Sequence, residues 1–446
     1  MGVTQELAKL VVQSQREDIP AAVRKTVSQS FINWLGCAIG GIRHEASAAA
    51  LSLASSFSGP QQATAIGTSH RLDILSAAWF NGIASHVFDF DDTHLRTVIH
   101  PSPPIAPAIL AIAEQQPVSG ADFVHAFALG IEVACRIGNA VCPAHYNIGW
   151  HSTSTAGVFG AAVAAGKLLK LDETQMAWAL GLAGTQSCGL RENLNTMGKF
   201  LHTGNAARGG MTAAFLAQRG FTASDRILEA PRGFAHVLSQ ERNLDEITSD
   251  WGTRYETLLN TFKPYPCGVV LHPVIDACLH FVREHEVRPE QVAGVSLKVN
   301  FLVLEVTGKR HPKIGVDGKF SVSHCVAVSF IDSRVEEEQF TDARVNDPTV
   351  IALSDKVVAE VDQTMPADSV AMELKLIDGR TLTKHVEHAL GSLKNPLSDA
   401  QLDEKFTRLC EGILKPTQVE RLIEQCHGLG ELPDVGAVAR GAAVIK

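Results

Sequence analysis

The sequence predicts a mainly α protein with an α+β second domain: a large all-helical domain, discontinuous in sequence, interrupted by a smaller unit containing strands. Three observations predict it. Apolar residues recur at helical spacing up to about residue 260. After Phe262 they alternate instead. From Ser398 the helical period returns, so the tail is expected to rejoin the first domain. The 446 residues therefore divide into a helical domain over 1–262 and 398–446 and an α+β domain over 263–397.

Each element has its own reason. Val23, Val27, Phe31 and Leu35 step by four and form one apolar stripe. Leu72, Leu75, Ala78 and Ile83 continue the pattern up to His86. The run from Ala156 and the run 177–184 are rich in Ala and Gly, which lets helix axes approach closely, so both are expected to be central. Residues 263–268, Lys-Pro-Tyr-Pro-Cys-Gly, break any helix and mark a hinge. Val295, Leu297, Val299 and Phe301 alternate with polar residues as in a half-buried strand. Residues 370–386 read as strand, Asp378-Gly379 turn, strand. Asp347-Pro348 should open a helix carrying Val350, Leu353, Val357 and Val361. Ser398 with Gln401, and Thr417 with Glu420, read as capping boxes, and Gly428 as a helix stop.

Composition excludes several function classes. With 45% apolar and 20% charged residues, the chain is a folded globular one and not a disordered one. A net charge of −9 argues against a nucleic-acid partner. An anionic substrate would have to be met by a local cationic pocket. Nine cysteines without a single C-x2-C spacing support neither a disulfide framework nor a zinc or iron–sulfur site. The N-terminal residues lack a basic region followed by an apolar one, and the apolar stretch 156–166 is too short to span a bilayer. A cytoplasmic or organelle-matrix protein with no membrane partner is expected.

Three segments concentrate chemistry. In the first, His86, Asp89, Asp91, Asp92, Thr93, His94 and His100 lie within fifteen residues. It admits an acidic Mg²⁺ site, a metal-free acid–base site at a helix end, or a solvated capping loop. No second acidic motif or phosphate-cradling loop supports the metal reading. His86 and Asp89 share a helix face if the helix runs on. The second segment, His145-Tyr146-Asn147-Ile148-Gly149-Trp150-His151, precedes a helix start, where free N–H groups favour anions. It also reads as an aromatic loop packed on the core. The third places Arg191, Lys199 and Arg208 between apolar runs, where a lysine either snorkels or acts.

Together these segments resemble the MmgE/PrpD family, which includes 2-methylcitrate dehydratase, cis-aconitate decarboxylase and iminodisuccinate epimerase. The resemblance rests on H-x-x-D-F-D-D-T (86–93) with His100-Pro101, G-W-H-S-T-S-T-x-G-V-F-G-A-A (149–162), K-x-L-H-x-G-N-A-A-R (199–208), K-P-Y-P-C (263–267) and K-F-S (319–321). It implies a helical domain with an α+β lid, a homodimer, a site between the domains, no metal or cofactor, and a small di- or tricarboxylate as substrate. Asp89, His100, Tyr146, His151 and Lys199 are the catalytic candidates. Thr93, Arg191, His202, Lys263 and His324 are the candidates for substrate binding. Decarboxylase relatives often carry Tyr shortly after K-F-S, where this chain has Val322-Ser323-His324, and Tyr146 resembles a tyrosine of the epimerase. The family reactions share the making or breaking of a C–H bond next to a carboxylate, so each needs cations and a placed acid or base. The reading adopted is a metal-independent lyase that dehydrates a citrate-like tricarboxylic acid. Decarboxylase, epimerase and a non-catalytic carboxylate-binding protein are the alternatives.

Overall fold

The computed structural model describes residues 2–445. It resolves into two compact units, one made of residues up to 87, 91–261 and from 398 onward, the other of 88–90 and 262–397. The architecture is mainly α, with a four-stranded sheet in the second unit.

In the first unit, helix Ala21–Gly40 buries the whole stripe of Val23, Val27, Phe31 and Leu35. It packs on Asp399–Cys410, whose start is fixed by the reciprocal Ser398–Gln401 box. The centre holds Ser102–Gln115, Gly120–Val141, Gly157–Leu168 and Gly198–Gln218. Gly120–Val141 is long and apolar enough to cross a membrane by length and composition, yet its most apolar stretch is wholly buried inside the protein. Small residues set the spacing here. A Cβ on Gly160 would lie 2.6 Å from the Gly130 carbonyl oxygen, and one on Gly204 would lie 2.5 Å from that of Trp79. Helices Ile74–Ala84 and Gly198–Gln218 therefore cross in backbone contact, tied by the Thr203 hydroxyl donating to the Gly82 carbonyl at 2.8 Å. Gly204→Ala should cost about 1–3 kcal/mol through overpacking, despite the better helix propensity of alanine. Chemical denaturation measures this, and an unchanged midpoint would refute the close crossing.

In the second unit, strand Val292–Val299 lies between Val357–Val361, which is parallel to it, and Val370–Leu376, which is antiparallel. Thr381–Val386 closes the far edge through the expected hairpin, with Gly379 at φ +89°. One face packs on helices His272–Glu284 and Val322–Asp332.

Several local expectations fail. Phe301 is not in the strand: Asn300 accepts from the Leu302 N–H, caps a new helix Phe301–Thr307, and leaves Phe301 exposed. The helix opened by Asp347-Pro348 stops at Ser354, so Val357 and Val361 lie in a strand, where parallel pairing suits β-branched residues. Leu72 belongs to a two-residue strand, because Asp73 caps the helix behind it. Thr417 is inside a helix whose first residue is Pro416 and whose cap is Lys415. Gly428 ends that helix with an ordinary negative φ of −87°.

Candidate active site

Helix Ile74–Ala84 ends before His86, so His86 and Asp89 do not share a helix face. Asp89 adopts φ +54°, a left-handed conformation that breaks any helix. The break turns Asp91 inward. Its Oδ2 accepts from His86 Nδ1 at 2.9 Å and from His100 Nδ1 at 3.1 Å. Both contacts are buried. Burial pushes the Asp91 carboxyl up, but His100 and His86 outweigh this and hold it well below the usual carboxylate range. An ionised Asp91 fixes both rings as Nδ1–H tautomers and leaves each Nε2 as the basic atom. Among the described residues, His86 Nε2 has no hydrogen-bond partner.

Thr93 belongs to this group, with Oγ1 3.3 Å from His100 Nδ1. The His100 backbone N–H donates to Thr153 Oγ1 at 3.1 Å. Asp92 faces elsewhere, accepting from Ser102 Oγ and Asn260 Nδ2, and burial pushes its carboxyl up to about 6. His86, Asp91 and His100 offer ligand atoms within 4.8 Å of one another. Two of those contacts are N–H···O bonds through the would-be ligand atoms, so a cation there would have to displace both protons. The geometry is that of a proton network.

The second segment meets the same region. The His86 and His151 rings lie 6.1 Å apart, and His151 Nδ1 is 2.9 Å from His202 Nδ1. Residues 189–191 run beside 149–151, with the His151 N–H bonded to the Gly189 carbonyl and the Arg191 N–H to that of Gly149. This brings Arg191 over Tyr146, its guanidinium 3.8 Å from the ring centre and its Nη1 donating to the Tyr146 carbonyl at 2.9 Å. Arg191 Nε is buried without a hydrogen-bond partner.

Lys199, in the first turn of Gly198–Gln218, is buried, and its charge reaches His86, His151 and His202. Burial pushes His86 down to about 4, helped by Lys199. Burial, His86 and Lys199 carry His151 well below its ordinary value, and His202 moves the same way. At neutral pH the result is a buried ammonium among neutral imidazoles and an ionised Asp91.

The remaining candidates lie in the second unit. Lys263 Nζ donates to the Asp89 carbonyl at 2.8 Å and pairs with Asp89 Oδ1 at 3.1 Å. His324 is buried, and its Nε2 is taken by the Gln339 carbonyl at 2.8 Å, which anchors the ring to local backbone. Asp91 is named in the sequence only as a member of the first cluster and not among the chosen candidates. It sits among three aspartates, and spacing alone does not tell which of them turns inward.

Acid should destabilise the protein. Burial pushes His86, His125 and His145 each down to about 4, against an ordinary value of 6.5. Between those pH values the unfolded chain takes up protons that the native one refuses. This stability is therefore complete above about pH 6.5 and lost as pH falls toward about 4. Asp92, raised to about 6, Glu337, raised to about 7, and Asp276, also raised, oppose them, while His151, His202 and His324, all lowered by burial, add to the acid loss. The urea midpoint should be lower at pH 5 than at pH 7. Equal midpoints would mean that these histidines are solvated.

Fold and site together define a class: a helical protein with an α+β unit whose buried imidazoles, carboxylate and ammonium suit proton transfer beside an anion. The chain belongs to the MmgE/PrpD family, whose N-terminal domain profile matches residues 5–247 and whose C-terminal domain profile matches 265–429. A cis-aconitate decarboxylase of Aspergillus terreus is 26% identical over 463 aligned positions, covering 97% of this chain and 94% of that protein. Those of Mus musculus and Homo sapiens are 31% identical, covering 83% and 82% of this chain and 78% of each relative. These relatives are enzymes, and decarboxylases are lyases.

Proposed function

We propose that this chain is a lyase acting on a small tricarboxylate of the cis-aconitate type, releasing one carboxylate as CO₂. The observation that carries the reading is Lys199: an ammonium buried among imidazoles that burial keeps neutral is a site for an anion, and it supplies the local cation that a protein of net charge −9 needs. The C–C bond to the departing carboxylate breaks, and its electron pair passes onto the carbon conjugated with a neighbouring carboxylate. Lys199 stabilises that growing charge. A proton taken up from solvent then reaches that carbon by way of His100 Nε2, protonated for the step, or of the Tyr146 hydroxyl, with His151 and His202 relaying it through their 2.9 Å contact. Arg191 and Thr93 bind carboxylate or hydroxyl groups. Asp89 and Lys263 are assigned to acid–base support and carboxylate binding, and His324 to a supporting role. The likeness to decarboxylases over nearly the whole chain supports this order of readings.

Dehydration of a citrate-like acid is the second reading. It is favoured by the histidine at 324, in the stretch where decarboxylase relatives often carry a tyrosine, and by the Asp91-held imidazoles, which suit abstraction of a carbon-bound proton. Incubation with cis-aconitate, 2-methylcitrate and iminodisuccinate in D₂O, followed by proton NMR and CO₂ detection, tests both. CO₂ release from cis-aconitate supports the first reading. Water loss from methylcitrate without CO₂ replaces it with the second. Turnover of neither, or of iminodisuccinate alone, overturns both.

A further inference from the structure

The second unit holds a buried lysine that the site reading does not use. Lys319 Nζ donates to the Phe88 carbonyl at 2.6 Å and to Glu337 Oε2 at 2.6 Å. It also lies 5.7 Å from the Phe88 ring centre and 5.6 Å from that of Phe340. One residue further along the chain, the Asp89 carbonyl takes the Lys263 ammonium. Two consecutive carbonyls thus each accept from a different buried lysine, on either side of a residue at φ +54°. A non-glycine residue in that region is disfavoured, and burying an ammonium carries a desolvation cost of its own. A loop that only had to turn would meet its carbonyls with water or backbone N–H groups. Between the two bonded carbonyls stands the Asp89 side chain, whose Oδ1 meets Lys263 at 3.1 Å.

We propose that Lys319, anchored by Glu337, is a positioning residue for Asp89: it pins the Phe88–Asp89 peptide so that the Asp89 carboxylate is held against Lys263. This inference rests on the reading that Asp89 takes part in the reaction. The hydrogen bonds of the Lys319 ammonium go to the Phe88 carbonyl and to Glu337. Its influence passes through one peptide plane. A displacement of about 1 Å at a reacting group costs on the order of 10²-fold in rate, which sets the scale expected of its loss.

The test combines a structure with a kinetic cycle. In crystals of Lys319→Met, the Asp89–Lys263 separation should open beyond about 4 Å. Lys319→Met should lower kcat on the substrate identified above about 10–100-fold with KM changed less than threefold, and Lys319→Arg should recover most of the loss. In an Asp89→Asn background, Lys319→Met should cost no further activity, because the group it positions is gone. If Lys319→Met does not fold, Lys319→Gln, which can still donate to one partner, is read the same way. An unmoved Asp89 in the crystal overturns the proposal whatever the kinetics, and so does an equal loss in both backgrounds. If the wild type turns over none of the acids, the reading of function fails, while the crystal structure still decides whether Lys319 positions Asp89.

Discussion

Lys199→Ala should lower kcat about 10²–10³-fold while circular dichroism remains that of the wild type. The factor is that of one preorganised group lost from a developing anion, about 2.7–4 kcal/mol. The ammonium is buried at the start of Gly198–Gln218, and its field helps to hold His86, His151 and His202 neutral. Its removal should therefore also raise the pKa of these imidazoles, which NMR titration would follow. Lys199→Arg should rescue poorly, because a guanidinium spreads its charge over a larger, planar group than the ammonium it replaces at a buried position. Near wild-type turnover by Lys199→Ala would remove the basis for placing the anion there.

Asp91→Asn should be more damaging still, lowering kcat about 10³–10⁴-fold by analogy with other buried carboxylates that hold a catalytic histidine in one tautomer. The carboxylate oxygen accepts from two Nδ1–H groups. An amide oxygen in the place of Oδ2 could accept both bonds only by burying the NH₂ where Asp91 Oδ1 meets no partner among the described residues, and in the flipped orientation the NH₂ faces both rings, which must then turn or move their protons to Nε2. The negative charge that would stabilise an imidazolium is lost as well. Single-turnover kinetics separates this from weaker binding. A kcat within tenfold of wild type would mean that neither ring depends on Asp91 for its tautomer.

The first unit is largely legible in the sequence because burial there follows one period. Val23, Val27, Phe31 and Leu35 are all buried in the helix that their spacing predicts. The hairpin at Asp378-Gly379 is legible for a different reason, since a left-handed turn position selects glycine. The failures share a cause: a local competitor overrides periodicity. An asparagine side chain caps a helix at Phe301, and Val357 leaves its helix for a strand partner far away in sequence. The site has the same character. His100, Thr93, His151, His202 and Lys199 carry chemistry visible as residue types, but their meeting depends on where a helix stops. Asp91, visible only as one member of the first cluster, is not singled out for that reason, and neither is Lys319, which enters the sequence reading only through the K-F-S motif and bonds to a peptide 231 residues earlier.

The membership of residues 88–90 in the second unit has a consequence for how the chain acquires its structure. The partners of that tripeptide emerge from the ribosome late: Lys263 lies 174 residues beyond Asp89, and Lys319 lies 231 beyond Phe88. The first unit in turn lacks its closing helices until residue 398 onward has been made. The second unit is therefore incomplete until residues up to 397 have been made, and the first until the helices from 398 onward have been, and chain entropy places contacts of such sequence separation late in folding. The peptide on which Asp89 sits is thus expected to be ordered only after Lys319 has been made. A nascent chain halted before Lys319 should leave the 88–90 segment open to protease, although the helices around it have already formed.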